Sequence, residues 1–138
     1  TKTSPPDVMT LAARHVVDAM CAAGVRRVVS LSGAGVPDSR DPGGAGPAFM
    51  RGVMKLVVPG LLRDGTGHLD TLRASGLDWT LDRAPRLTDD LPAGRYRTGY
   101  LAMGPAHAVA RADVADYLLR LAVDGGEAGE APMITSKE

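Results

Sequence analysis

Apolar positions follow two different spacings along this chain, and the change between them separates predicted helices from predicted strands. Residues 8–23 place apolar side chains three and four positions apart, which predicts a helix with Ser4 as its cap and Gly24 after its end. The buried stripe of this helix is predicted to comprise Val8, Leu11, Ala12, His15, Val16, Ala19, Met20 and Ala23. Residues 28–31 then form a short apolar run, which is typical of a strand buried on both faces.

The alternation of helices and strands continues through the rest of the chain. Residues 49–76 have helical spacing that Pro59 interrupts, which predicts a broken helical region. Residues 77–83 alternate apolar with polar side chains, which predicts a second strand with one face less buried than the first strand. The remaining predicted elements are a turn at residues 84–87, a short strand at 95–100, a loop at 104–108, a helix at 111–124 and a last short strand at 132–135.

This alternation requires crossover connections, so residues 28–31 and 77–81 are expected to be neighbouring parallel strands with helices packed on the sheet. Ligands of such sheets bind beyond the carboxyl ends of the strands. The functional edge is therefore predicted at residues 32–35, where small side chains let a ligand approach the backbone. Residues 37–47, rich in proline and glycine, either cover this site or form a disordered surface loop.

Composition narrows the class of protein. The chain has 138 residues, which suits a single domain spanning residues 1–138, and its 16 basic and 16 acidic residues argue against a nucleic-acid partner. No apolar run approaches the length of a membrane span. Cys21 is the only cysteine, which fits a reducing, cytoplasmic setting. Because the chain opens at Thr1 without a methionine, we expect it to be a piece of a longer protein.

Several familiar sites are missing from the sequence. It has no GxGxxG fingerprint, Walker A motif or GxSxG elbow. The three histidines lack zinc spacing and have no cysteine partners, so no metal site is predicted. His15 is expected to be packed in the core, and His68 is expected to be solvated.

Ser32 and Arg86 are the two candidates for a polar role. Ser32 ends the first predicted strand, where its hydroxyl could bind a ligand or could instead cap the turn. Arg86 follows Pro85 after the second strand, where its guanidinium could meet a phosphate or carboxylate or could simply lie on the surface.

Four segments carry a family resemblance in order. They are GVRRVVSLSGAGV at residues 24–36, SGLDWT at 75–80, APRLTD at 84–89 and RADVADYLL at 111–119. Together they resemble the carboxyl-terminal part of an atypical short-chain dehydrogenase/reductase of the NAD(P)H-binding group, which includes NmrA-like proteins and the biliverdin-IXβ reductase/flavin reductase type. The resemblance covers the chain from about Val8 to Thr135.

The resemblance implies an α/β, Rossmann-like parallel sheet with flanking helices that lacks its amino-terminal half. In such proteins the ends of the fifth and sixth strands flank the nicotinamide of NADP or NAD. The residues that this likeness marks as cofactor-binding are Leu31, Ser32, Gly33, Ala84, Pro85, Arg86 and Leu87. The first strand and the glycine-rich pyrophosphate loop of the family are absent, so the missing segment or another chain is expected to complete the fold.

The resemblance implies hydride transfer from NAD(P)H to a small acceptor such as a flavin or quinone. The chain lacks the Tyr-x-x-x-Lys pair of classical members, because Tyr96, Tyr100 and Tyr117 have no lysine four positions later. No catalytic residue is therefore assigned. Two alternatives stay open: a non-enzymatic NAD(P)-sensing module of the NmrA-like kind, and an incomplete domain that is inactive alone.

Overall fold

The structure is a computed structural model of the chain. It describes residues 5–136, and at residues 46, 47, 50 and 51 it describes only the backbone. Ser4, the predicted cap, lies outside the described residues. The helices are α1 (Val8–Ala23), α2 (Ala45–Val57), α3 (Pro59–Ala74) and α4 (Arg111–Val123). The strands are β1 (Arg27–Gly33), β2 (Asp78–Ala84), β3 (Arg86–Thr88), β4 (Tyr96–Gly99), β5 (Ala108–Ala110) and β6 (Met133–Ser136).

A four-stranded sheet in the order β1-β2-β6-β4 forms the centre of the fold. β1 and β2 are parallel neighbours, as predicted, and they stay in register from the Arg27–Asp78 pair to the Gly33–Ala84 pair. β6 is parallel to β2, whereas β4 is antiparallel to β6. Helices flank these strands, so the expected α/β, Rossmann-like architecture is confirmed, with one antiparallel strand added at the edge.

The side chains of β2 face two helical layers alternately. Trp79 and Leu81 pack with Leu69 and Leu72 of α3 in one core cluster. On the opposite face, Ala84 belongs to a second cluster. The other buried members of the second cluster are Val109, Val114, Tyr117, Leu121 and Ile134. β2 therefore forms the shared wall of both cores.

The relative burial predicted for the two strands is wrong. β2 is buried from Trp79 to Ala84, whereas β1 is only half-buried from Arg27 to Leu31. β2 lies between β1 and β6, but β1 has one neighbouring strand among the described residues. Side chains on an edge strand lose less surface, and the local pattern does not reveal which strand lies at the edge.

The predicted buried face of α1 is also wrong. Val8 and Val16 of the predicted stripe are 43% and 47% exposed, and His15 is exposed rather than packed. Ala13 is the buried residue of α1, and Val17 contacts the first core cluster. The helix is thus rotated relative to its apolar stripe.

Contacts with α3 account for this rotation. The Asp64 carboxylate of α3 accepts hydrogen bonds from the amides of Met9 and Thr10, at 2.9 and 2.8 Å, and from the Thr10 hydroxyl, at 2.7 Å. It therefore caps the amino-terminal amides of α1 from outside that helix. Thr10 also lies against Gly67 of α3, because a Cβ added to Gly67 would stand 2.4 Å from Thr10 Oγ1. A polar contact and close backbone approach thus decide which face of α1 packs.

Two short strands replace predicted irregular segments. Residues 84–87 are predicted as a turn, but Arg86 begins β3. Ala108, predicted as loop, begins β5 and pairs in parallel with Arg86. Each strand exists because of its distant partner, which is why neither has a local signal. Residues 37–44, by contrast, form a loop as predicted, whereas Ala45 already begins α2, so the predicted loop of residues 37–47 is three residues too long.

Among the described residues, no helix is both long and apolar enough to cross a membrane.

Asp82 of β2 is an unpartnered acid inside the second core. Its side chain is fully buried, and neither carboxylate oxygen has a hydrogen-bond partner in the described part of the chain. Burial, helped by the charge of Glu127, raises its pKa to about 7 against the opposing effects of the Arg83 backbone and charge. The carboxyl is therefore substantially protonated in the folded chain near neutral pH.

We expect Gly67→Ala to lower the free energy of unfolding by about 1–3 kcal/mol, because the new methyl group would collide with Thr10 where α1 meets α3. Gly60→Ala is the matched control in the same helix, since a Cβ added there would meet no atom within 4 Å. That control should be neutral or stabilising by up to about 1 kcal/mol. Urea unfolding measures both, and equal values for the two variants would contradict the close contact.

Asp82 should make the folded chain less stable as pH rises from about 4 to about 7. The unfolded carboxyl ionises near its ordinary pKa of 3.8, but the folded one keeps its proton to higher pH, so the folded state binds more protons in this window. We expect Asp82→Asn to remove this loss and to be the more stable protein at pH 8. Urea unfolding of both proteins at pH 5 and pH 8 tests this, and parallel pH profiles would contradict it.

Candidate functional site

A cleft of about 320 Å³ opens beyond the carboxyl ends of β1 and β2. β1 ends at Gly33 and β2 at Ala84, which are partners in the sheet, and the Ala34 amide donates to the Ala84 carbonyl at 2.8 Å. The lining residues are Gly33, Ala34, Gly35, Pro37, Asp41, Pro42, Met54, Ala84, Pro85, Arg86, Leu101, Met103, Gly104, Pro105, His107 and Met133. The cleft therefore lies at the edge of the sheet where the sequence places the functional site.

The small residues at the base of the cleft have two different consequences. At Gly33, a Cβ would meet no atom within 4 Å, so the backbone is open to a ligand. At Gly35, a Cβ would stand 3.0 Å from Met54 Cε and 3.1 Å from Leu62 Cδ2. Gly35 thus lets the side chains of α2 and α3 approach the loop after β1.

The walls of the cleft are mostly apolar, and few polar side chains face it. Arg86 is exposed and makes no ion pair with another described residue. His107 Nδ1 lies 3.0 Å from the Gly104 amide nitrogen and 3.2 Å from the Gly104 carbonyl oxygen, so Nε2 is the ring nitrogen left for a ligand. The Asp41 carboxylate is paired with Arg83. Two potential hydrogen-bond donors, Arg86 and His107, therefore remain for a ligand.

The structure brings four of the seven sequence-predicted site residues to the cleft. Gly33, Ala84, Pro85 and Arg86 line it, whereas Leu31, Ser32 and Leu87 do not. Leu31 and Leu87 pack against the second core cluster. The role of all seven in cofactor binding remains a prediction.

Ser32 faces α3 rather than the cleft. It is 7% exposed, and its hydroxyl has no hydrogen-bond partner among the described residues. A Cβ at Gly65 of α3 would stand 3.3 Å from Ser32 Oγ and 2.5 Å from Val36 Cγ2. Gly65 therefore allows α3 to lie directly against the end of β1.

His68 is buried beside the same strand, so the expectation of a solvated histidine is wrong. It is 7% exposed, and its Nε2 lies 3.0 Å from Ser30 Oγ. Burial lowers its pKa, and the charge of Asp64 opposes this only in part. The ring is therefore neutral near pH 7. Within the described ranges, no group of three metal-ligating side chains occurs.

The segment of residues 36–42, which we call the wall loop, is held by a buried arginine. Arg83 is fully buried, and its guanidinium donates from Nη1 to Asp41 Oδ2 at 2.9 Å and from Nη2 to Asp41 Oδ1 at 2.6 Å. Nη1 also donates to the Val36 carbonyl at 2.7 Å, and Nε donates to the Ala131 carbonyl at 2.8 Å. The wall loop is therefore an ordered side of the cleft.

A second acid in the wall loop is also neutralised. Asp38 has a fully buried side chain that accepts hydrogen bonds from Arg40 Nε at 3.2 Å and Arg73 Nη2 at 2.7 Å. Burial alone would raise its pKa, but the hydrogen bonds and charges of these arginines hold it below the ordinary value. Asp38 therefore stays ionised and fastens the wall loop to α3.

The hydroxyls of all three tyrosines are engaged in hydrogen bonds. Tyr100 donates to Glu130 at 2.8 Å and accepts from the Ala131 amide, and burial raises its pKa to about 12. Tyr96 donates to Asp116, Tyr117 donates to Glu127, and burial raises both pKa values. This agrees with the absence of a Tyr-x-x-x-Lys pair, since none of these hydroxyls ionises readily.

The sequence did not reveal the far wall of the cleft. Met54 comes from α2, and Leu101, Met103, Pro105 and His107 come from the segment between β4 and β5. The only local signal in that segment is the Gly104-Pro105 turn. The other side chains look like ordinary core residues in the sequence, and only the fold brings them to the cleft.

Comparison with solved structures shows the same fold. An anaerobillin reductase from Escherichia coli O157:H7 superposes with a TM-score of 0.76 and 24% identity, over 94% of this chain and 59% of its own. A short-chain dehydrogenase/reductase from Veillonella parvula DSM 2008, solved in complex with NADP, superposes with a TM-score of 0.72 and 17% identity. That match covers 93% of this chain and 58% of the other. A protein described as a putative NADH-flavin reductase from Streptococcus pneumoniae TIGR4 superposes with a TM-score of 0.65 and 19% identity. That match covers 98% of this chain and 68% of the other.

The chain thus spans between 58% and 68% of the length of these three structures. None of the curated proteins matches its sequence. A family model described as NAD(P)H-binding matches residues 1–124, which is most of the chain. With the predicted fold confirmed and this match covering both strands that end at the cleft, the chain belongs to the NAD(P)H-binding family.

Proposed function

We propose that this chain is the carboxyl-terminal portion of an NAD(P)H-dependent reductase domain that acts on a small acceptor bound in the cleft. The observation that carries the proposal is the position of the cleft, beyond the carboxyl ends of two parallel strands and over an open glycine backbone. The reductases among the structural neighbours support the reaction class.

The residues present fit the nicotinamide half of the cofactor. Gly33 and Ala84 offer small residues that leave room for a ring, and Arg86 offers a cation for an anionic group of the cofactor or acceptor. NAD(P)H, when bound, supplies the hydride. The chain would orient the two reactants and exclude water with apolar walls, of which Met54 and Leu101 are part. A flat acceptor such as a flavin or quinone suits this shape.

A non-enzymatic NAD(P)-sensing module is the second candidate. The observation that favours it is that none of the three tyrosine hydroxyls is available as a proton donor beside the cleft. NADPH consumption by the full-length protein with flavin or quinone acceptors separates the two. Turnover supports the reductase, whereas NADPH binding without turnover on any acceptor supports the sensor.

We also propose that another segment or chain completes the fold. The half-buried side chains of β1 and the exposed Val8 and Val16 of α1 support this, since both leave apolar surface uncovered. Cys21 is exposed and free, which agrees with the proposed reducing, cytoplasmic setting.

We expect the chain alone to bind NADPH more weakly than micromolar. The cofactor pyrophosphate usually rests on a helix amino terminus that a short glycine-rich turn joins to a strand. Among the described residues, the long loop of residues 34–44 separates β1 from α2, and β5 runs into α4 with no glycine between them. Fluorescence titration of NADPH with the isolated chain measures this. A dissociation constant at or below the micromolar range would contradict the incomplete-domain proposal.

Arg86→Ala in the full-length protein should weaken ligand binding by about 1.5–3 kcal/mol, because a charge-assisted hydrogen bond would be lost. Arg95→Ala is the control, since Arg95 is also exposed but lies outside the cleft. NADPH affinity, acceptor KM and thermal stability are measured together. Arg86 would lose its assignment if both variants had wild-type affinities for NADPH and acceptor.

Ser32→Ala tests whether the strand-end serine binds the cofactor. A lost neutral hydrogen bond would weaken NADPH binding by about 0.5–1.5 kcal/mol. Because Ser32 Oγ lies against α3 in the structure, we expect wild-type affinity instead. A measured loss of NADPH affinity with unchanged thermal stability would return Ser32 to the cofactor site.

A further inference from the structure

We propose that Arg83 and Asp41 are positioning residues, whose buried ion pair holds the wall loop as a preformed, charge-neutral side of the acceptor subsite. The inference rests on the proposed function and deepens it, because it locates the acceptor within the cleft. The acceptor subsite is the half of the cleft lined by Pro37, Pro42, Met54, Leu101, Met103 and Pro105.

The wall loop has little structure of its own. Its backbone hydrogen bonds are a turn from the Val36 amide to the Gly33 carbonyl at 3.0 Å and one from the Asp41 amide to the Asp38 carbonyl at 3.1 Å. The carboxylates of the loop accept two more bonds, from the Asp38 amide to Asp41 Oδ2 at 2.9 Å and from the Arg40 amide to Asp38 Oδ1 at 2.9 Å. The internal bonds of the loop therefore depend on where the Asp41 carboxylate is held. The loop's two contacts with Arg83, one at each end, fix both the Val36 carbonyl and the Asp41 side chain.

Arg83 also connects the wall loop to the opposite side of the cleft. Its Nε bonds the Ala131 carbonyl just before β6, and its guanidinium carbon lies 5.7 Å from the centre of the Tyr100 ring. Tyr100 is followed directly by Leu101, which lines the far wall. Arg40 of the wall loop lies over the same ring, with its guanidinium carbon 4.6 Å from the ring centre. One buried cation therefore spaces the two walls between which the acceptor would lie.

The pairing also decides the charge of the subsite. Asp41 lines the cleft, and its side chain is only 9% exposed because Arg83 occupies both carboxylate oxygens. Arg83 itself does not line the cleft, so it acts on the acceptor only through the wall loop. The subsite therefore presents neutral and apolar side chains, and the ligand class that it fits is an uncharged, largely apolar ring system.

The decisive variant removes both charges together. Removing one partner would leave the other charge buried and could unfold the chain, whereas removing both is often tolerated. Asp41→Asn with Arg83→Met is therefore compared with the wild-type chain. Arg111→Met with Asp89→Asn is the matched control, because that ion pair of 2.9 Å is exposed and its residues lie outside the cleft.

Two measurements on the 138-residue chain need no turnover. Hydrogen exchange of the wall-loop amides should rise at least about tenfold in the cleft double variant and stay unchanged in the control. Riboflavin, used as the planar probe, should bind the wild-type chain and the control equally and the cleft double variant about tenfold more weakly. Urea unfolding confirms that each variant is folded.

In the full-length protein, the same double variant should raise the acceptor KM about tenfold and leave kcat and NADPH affinity within about threefold. Unchanged exchange, unchanged riboflavin affinity in a folded double variant, or no riboflavin binding by the wild-type chain would each overturn the inference. Weakened riboflavin binding without NADPH consumption on any acceptor would instead overturn the proposed reductase function and leave the positioning role standing.

Discussion

The fully buried guanidinium of Arg83 is the constraint on which the cleft depends. A charge without water must find its hydrogen-bond partners in the protein, and Arg83 finds them in Val36, Asp41 and Ala131, which come from separate parts of the chain. Satisfying this one side chain therefore brings the loop after β1 and the approach to β6 to the end of β2. The shape of the cleft follows from that convergence.

A second polar contact sets the packing of α1 on α3. Asp64 caps the first amides of α1, and Gly67 allows Thr10 to approach α3 closely. α1 is consequently attached to the fold through α3, and much of its apolar stripe remains exposed. This arrangement suits a chain whose sheet edge and helix surface are completed by further protein, as we propose for the full reductase domain.

The buried polar groups of the fold differ in how many partners they have. Arg83 and Asp38 each have several, and both hold the wall loop in place. Asp82 and the Ser32 hydroxyl have none among the described residues, and both lie away from the cleft. The networks thus stabilise the walls of the cleft, while most of the side chains that line it are apolar.

The sequence by itself determined the two parallel strands, the break at Pro59 and the edge of the sheet at which Gly33 and Ala84 meet. These features depend on local periodicity and turn residues, which can be read from neighbouring residues without knowledge of the tertiary contacts. Tertiary structure alone decided the packed face of α1, the pairing of β3 with β5, the burial of His68 and the roles of Arg83 and Asp41. Each of these depends on partners distant in sequence, and a buried charge cannot be told from a surface charge until its partners are known.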